Sequence, residues 1–182
     1  SWGWGSTACD LNGDGLPELL AASYGRFPNH LWRAERQDGE VSYVNESVDS
    51  GYAFDHRDDW TDNLSAQCYC RDNPGAEDCD TCPLPADDAI CDALAAAFGD
   101  SYRWSHGQGR EPYSLGGNSG TTVCADIDND GHMDLMTHEI VHSDVGSSSD
   151  PSEILVNLGD EDVRFDRPGN EATGLTRIDE YE

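Results

Sequence analysis

The chain has 182 residues and a formal charge of −27, from 37 aspartates and glutamates against 10 arginines and no lysine. So acidic a chain excludes nucleic acid and anionic membrane surfaces as partners, since both need a basic face. No apolar run approaches the roughly 18 residues that insert into a membrane, and the 36% hydrophobic residues, with 5 Trp and 7 Tyr, argue for a folded rather than a disordered chain.

From the start, the segment SWGWGS has neither the basic start nor the apolar core of a signal peptide, as expected of a mature or excised form. Short apolar runs follow, separated by Gly, Asp, Asn, Pro and Ser. Leu19–Tyr24, His30–Arg33 and Val41–Asn45 each read as a strand. Residues 54–114 differ: they hold five of the 7 cysteines and the one good helix signal, Ala89–Phe98, with Asp87 or Asp88 as N-cap and Gly99 as stop. Strand-like runs resume at Thr121–Ala125, Leu135–Val141, Ile154–Asn157 and Val163–Phe165. Many short strands with frequent turn signals predict an all-β protein.

The two ends of the chain align when Asp10 is laid on Asp126. DLNGDGLPE (Asp10–Glu18) then falls on DIDNDGHMD (Asp126–Asp134), and Leu19-Leu20 on Leu135-Met136. Pro28–Arg33 falls on Pro151–Val156, Tyr43 on Phe165, and Asn45–Gly51 on Asn170–Gly174. Each unit reads strand, acidic loop, strand, turn, strand, turn, strand, over roughly 50 to 60 residues, the size of one propeller blade.

Calcium takes six to eight oxygen ligands in a flexible shell, and a tight loop with oxygens at alternate positions supplies them. The side-chain ligands would be Asp10, Asn12, Asp14 and Glu18 in the first loop, and Asp126, Asp128, Asp130 and Asp134 in the second. The position-seven carbonyls, of Leu16 and His132, are the expected neutral ligands, and Gly15 and Gly131 permit the turn. An EF-hand would need a Glu at position twelve, where Ala21 and Thr137 stand, and its flanks would be helical. Magnesium rarely uses an all-protein cage. A surface turn rich in Asp, Asn and Gly is the plain alternative for one copy, and the second copy with matched flanks weighs against it.

Trp4-Gly5, the two acidic loops and the Leu19-Leu20 and Leu135-Met136 pairs resemble the FG-GAP/VCBS repeat of integrin-α-like β-propellers, in its secreted bacterial form. The resemblance covers about two-thirds of the chain and leaves out the Cys-rich segment. It implies blades around a central axis, usually about seven of them. Two blades make an incomplete ring, so further blades of the same polypeptide, or other protein chains, are expected to cover the open edges.

His138-Glu139-Ile140-Val141-His142 matches the H-E-x-x-H zinc-protease pattern, which works only on a helix, where i and i+4 share a face. The repeat places it on a strand, which separates the two histidines by about 13 Å. The run Cys68-x-Cys70, Cys79-x-x-Cys82 fits either a four-thiolate Zn2+ site or disulfide staples. High cysteine content favours disulfides and an oxidising compartment, secreted or periplasmic. Seven is odd, so at least one thiol is free or bonded to another chain, and the pairing itself cannot be read from sequence. His56, His106, Trp60, Tyr102 and Trp104 either pack the insertion or form a carbohydrate or peptide site.

These readings divide the chain into a propeller repeat over 1–53, a disulfide-stapled insertion over 54–114 and a second repeat over 115–182. The function expected is a non-enzymatic, calcium-stabilised module for adhesion or assembly. The alternative is a hydrolase or lyase, acting through the HEIVH segment or through a site completed outside this chain.

Overall fold

Short apolar runs between turn-forming residues form strands, and the computed structural model, which describes residues 2–115, 117, 119–140 and 150–175, has mostly strands and few helices. β1 (Trp2–Cys9), β2 (Glu18–Tyr24), β3 (His30–Gln37) and β4 (Glu40–Asn45) form one antiparallel sheet in chain order. Helices α1 (Leu64–Asp72) and α2 (Asp88–Phe98) follow. A second antiparallel sheet then orders β5 (Ser119–Ala125), β6 (Asp134–Glu139), β7 (Glu153–Asn157) and β8 (Phe165–Asp166). A single turn of helix, α3 (Asn170–Thr173), is the last element among the described residues.

The chain divides into two compact units. Both sheets, with residues 2–55, 117, 119–140 and 150–175, belong to one, and residues 56–115 to the other. In the second unit Asn63 caps α1, its side-chain oxygen accepting from the Ala66 amide, and Asp87 caps α2 through the Ala89 amide. Gly99, at φ +80, ends α2. A disulfide from Cys68 to Cys91 ties the helices over a core that includes Ala66, Leu94, Tyr102, Trp104 and Leu115.

The two sheets repeat one another in register. Leu19 pairs with Trp32 and Leu20 with Leu31; Leu135 pairs with Leu155 and Met136 with Ile154. Ala34 sits opposite Tyr43 as Asn157 sits opposite Phe165. Even the irregularity in the first strand recurs, between Gly3 and Gly5 and between Ser119 and Thr121.

Equivalent residues do not share the same fate. The first sheet buries the face that carries Leu20 and Leu31, while their counterparts Met136 and Ile154 are only partly covered. The second sheet buries Leu135, Leu155 and Phe165, whose counterparts are Leu19, Trp32 and Tyr43. Successive strand residues point to opposite sides, so each sheet offers its partner the side the other leaves open. The common core gathers Cys9, Leu11, Leu20, Leu31, Tyr52, Leu135, Leu155, Val163 and Phe165.

The covalent link follows the same rule. Cys9 pairs with Glu18 across β1–β2, whereas Cys124 pairs with Leu135 across β5–β6, one step out of equivalence. That single step turns the two side chains to opposite sides of their sheets, and they close a disulfide between them. At Gly5 the backbones come close: an added Cβ would lie 2.8 Å from the Gly120 carbonyl and 2.9 Å from the Thr121 Cα.

Some expectations shift. β6 ends at Glu139, and Val141 and His142 lie outside the described residues. The last strand is only Phe165–Asp166, because Val163 adopts φ +47, which breaks the extended run. α1 lies where no helix was expected.

Candidate metal centres

The nine-residue loops share three hydrogen bonds from side chain to backbone. The first carboxylate accepts the amide of the sixth residue: Asp10 from Gly15 at 3.0 Å, Asp126 from Gly131 at 3.2 Å. The third side chain accepts the amide of the fifth residue: Asn12 from Asp14 at 3.2 Å, Asp128 from Asp130 at 3.1 Å. The fifth accepts the amide of the seventh: Asp14 from Leu16 at 2.7 Å, Asp130 from His132 at 2.8 Å. The backbone reverses through left-handed residues at positions four and six, Gly13 and Gly15 in one loop, Asn129 and Gly131 in the other. Glycine and asparagine are the residues that accept this conformation at least cost.

The three amide bonds fix the short side chains in place while leaving lone pairs free, since a carboxylate accepts at about four sites. In the second loop one ligand atom each from Asp126, Asp128 and Asp130 lies within 4.8 Å of the other two. Hard oxygens brought this close suit a divalent cation of calcium's size and ligand preference. In the first loop Asn12 replaces one carboxylate, so the same frame carries less charge.

The ninth-position acids take a different place. Glu18 and Asp134 are fully buried. Glu18 accepts the Leu11 amide at 2.7 Å with one oxygen and the Ala34 amide at 3.2 Å with the other. Asp134 accepts Ile127 at 2.8 Å and Asn157 at 2.9 Å in the same way. Each acid therefore ties its loop to the third strand of its sheet. Burial pushes the Glu18 carboxyl up, against the pull of the two amides.

Sequence reasoning passed over Asn157. Its side-chain amide donates to the Leu11 carbonyl at 2.8 Å and to the Met133 carbonyl at 3.0 Å, and so joins one loop to the other. Tyr52 was missed as well. It is wholly buried, its hydroxyl lies 2.7 Å from Thr122 Oγ1, and burial pushes its pKa up to about 12. Neither sits in a motif, and only the aligned strands around them could have drawn attention to them.

His138 and Glu139 lie on strand β6, with His138 exposed and Glu139 buried against the Ser119 hydroxyl at 2.5 Å. No helix brings them to a common face. In the second unit Cys70 pairs with Cys79 and Cys68 with Cys91, which leaves Cys82 as the free thiol among the described residues. Three of the four thiols in the C-x-C, C-x-x-C run are thus in disulfides. Burial, with Asp59 nearby, pushes the Cys82 thiol up, away from the reactive thiolate. His106 Nδ1 accepts from the Trp104 indole at 3.1 Å, and its Nε2 lies 2.5 Å from the Glu77 carbonyl and 4.0 Å from Cys79 Sγ. Tyr102 and Trp104 are buried in the core of this unit, with Trp60 and Tyr69 packed on it.

No protein family model matches the chain, and no curated protein and no solved structure matches it. Three disulfides suggest an oxidising environment. Among the described residues no helix is long and apolar enough to cross a membrane.

Proposed function

We propose that the chain is a calcium-stabilised module of the β-propeller type, exported from the cell, whose role is structural: adhesion or assembly rather than catalysis. One observation carries this reading above the others. Two separate loops hold acidic side chains at positions one and five, and an amide or acid at three, through the same set of backbone hydrogen bonds. The side chains of Asp10, Asn12 and Asp14, with the Leu16 carbonyl, would hold one ion, and those of Asp126, Asp128 and Asp130, with the His132 carbonyl, would hold the other. Glu18 and Asp134, expected from the sequence as further ligands, are taken up by backbone amides and would brace the two loops. The ions would offset part of a charge of −27 that opposes compaction. The repeat of four antiparallel strands and the FG-GAP/VCBS-like loops support the blade reading, and the disulfides support export.

Thermal unfolding with calcium and with EGTA tests it. A ligand at a hundred times its Kd stabilises by about 2.7 kcal/mol, or roughly 5–10 °C for each of the two sites in a chain of this size. Asp130→Asn should remove about half the shift by weakening the second loop alone. A Tm unmoved by calcium would end the metal assignment.

A further inference from the structure

The interface inside the chain says what its open faces are for. Call the side of the sheet that carries Leu20 and Leu31 the leading face, and the side that carries Leu135, Leu155 and Phe165 the trailing face. The first sheet's leading face packs against the second sheet's trailing face. The first sheet's own trailing face is left open, with Leu19 38% and Tyr43 43% exposed and Trp32 half-buried. The second sheet's own leading face is open too, with Val123 54% exposed and Met136, Ile154 and Val156 half-buried. Both open faces group apolar side chains in a chain of charge −27, and apolar sheet faces of this kind mark contact surfaces.

We infer that the second sheet's leading face docks on the first sheet's trailing face of a second copy of this chain, head to tail. This deepens the module reading above by naming the surface through which it assembles. The occupant follows from register. Met136 and Ile154 are the equivalents of Leu20 and Leu31, which the trailing face of a neighbouring sheet already covers. Leu19, Trp32 and Tyr43 are the equivalents of Leu135, Leu155 and Phe165, which a leading face already covers. The contact is heterologous: it uses two different surfaces, leaves one of each free after every addition, and so extends to a closed ring or a filament. It differs from the internal contact at two points. Ala125 and Ala8 stand where Cys9 and Cys124 do, so no disulfide joins the copies. Thr121 stands where Gly5 does, so the first strands cannot approach as closely at that corner.

The test uses the full chain at saturating calcium and about 0.15 M salt, where self-repulsion of like charge is screened. Tyr43→Asp blocks the trailing face and Val123→Asp the leading face; both side chains are exposed in the single chain, so each variant keeps its Tm. Light scattering after size exclusion should find the native chain associating as its concentration rises. Each variant alone should run as a monomer, and an equal mixture should form a dimer with one of each and stop there. Dimers of a single variant would mean a two-fold contact between like faces and overturn the proposal. So would a native chain that stays monomeric at every concentration. Should either variant lose its Tm, Val41→Asp and Met136→Asp block the same two faces. Loss of the calcium-dependent Tm without loss of association would instead strike the metal reading and leave this one standing.

Discussion

The two compact units solve the same shortage of apolar surface in different ways. The sheet unit relies on hydrogen bonds arranged twice over: buried acids pinned by amides and two sheets sharing one core. The unit of residues 56–115 has two short helices and no sheet, and holds them with disulfides of sequence separation 23 and 9. The first unit is ordered by one pattern used twice, with a single bridge between its sheets; the second has no such repeat and two bridges over short separations. Sequence pattern therefore foretells the register of the first, and in the second reaches α2 but not α1.

The cross-links offer the largest contrast to test. Cys9–Cys124 spans a separation of 115, for which the chain-entropy picture gives between 4 and 5 kcal/mol, or about 4.7. Cys68–Cys91, at 23, is worth about 3 kcal/mol on the same scale. Replacing each pair by serine and measuring unfolding in denaturant should rank them in that order. Equal losses would mean that the sheets hold together without their bridge.

A smaller effect belongs to the sheet unit alone. Tyr52 has its pKa raised by burial to about 12 from an ordinary value near 10. A neutral phenol favoured in the folded state contributes its stability in full below the unfolded pKa and loses it as pH climbs through the folded one. Stability should fall between pH 10 and about 12, by roughly 2–3 kcal/mol. Tyr52→Phe should flatten that limb of the pH profile, at the cost of the Thr122 hydrogen bond.

The smallest lies in the other unit. Asn63→Ala removes the N-cap of α1 and the bond from its side chain to the Leu115 carbonyl, at 3.1 Å. A cap is worth about 1 kcal/mol. Helical circular dichroism should weaken while the sheet signal stays.

What was legible follows from these contrasts. The repeat alignment placed Leu19 on Leu135, Pro28–Arg33 on Pro151–Val156 and Tyr43 on Phe165, and the strand pairings agree with it at Leu19–Trp32 and Leu135–Leu155 and at Ala34–Tyr43 and Asn157–Phe165, although the strands and the connections between them differ in length. Helix α2 was foretold almost to the residue by Asp87, a run of alanines and Gly99. Helix α1 was not, because LSAQCYCRD has weak apolar periodicity and owes its place to Asn63 and the Cys68 bridge. The candidate ligands of the loops were chosen by side-chain chemistry alone. That rule sees an oxygen at position nine but not the amides of Ala34 and Asn157, which arrive from a strand distant in sequence and make Glu18 and Asp134 struts of the fold. Which face a sheet buries was likewise out of reach, since both faces of each strand carry apolar residues.

The disulfide between the sheets also sets their order. Cys9 and Cys124 do not occupy matching positions, and alanine stands at both of the places that match them, Ala125 and Ala8. The bridge therefore joins one side of the first sheet to the other side of the second. It distinguishes front from rear, as a hook and an eye do: two copies of either sheet alone, stacked in this order, would set a cysteine against an alanine and leave the bridge unmade.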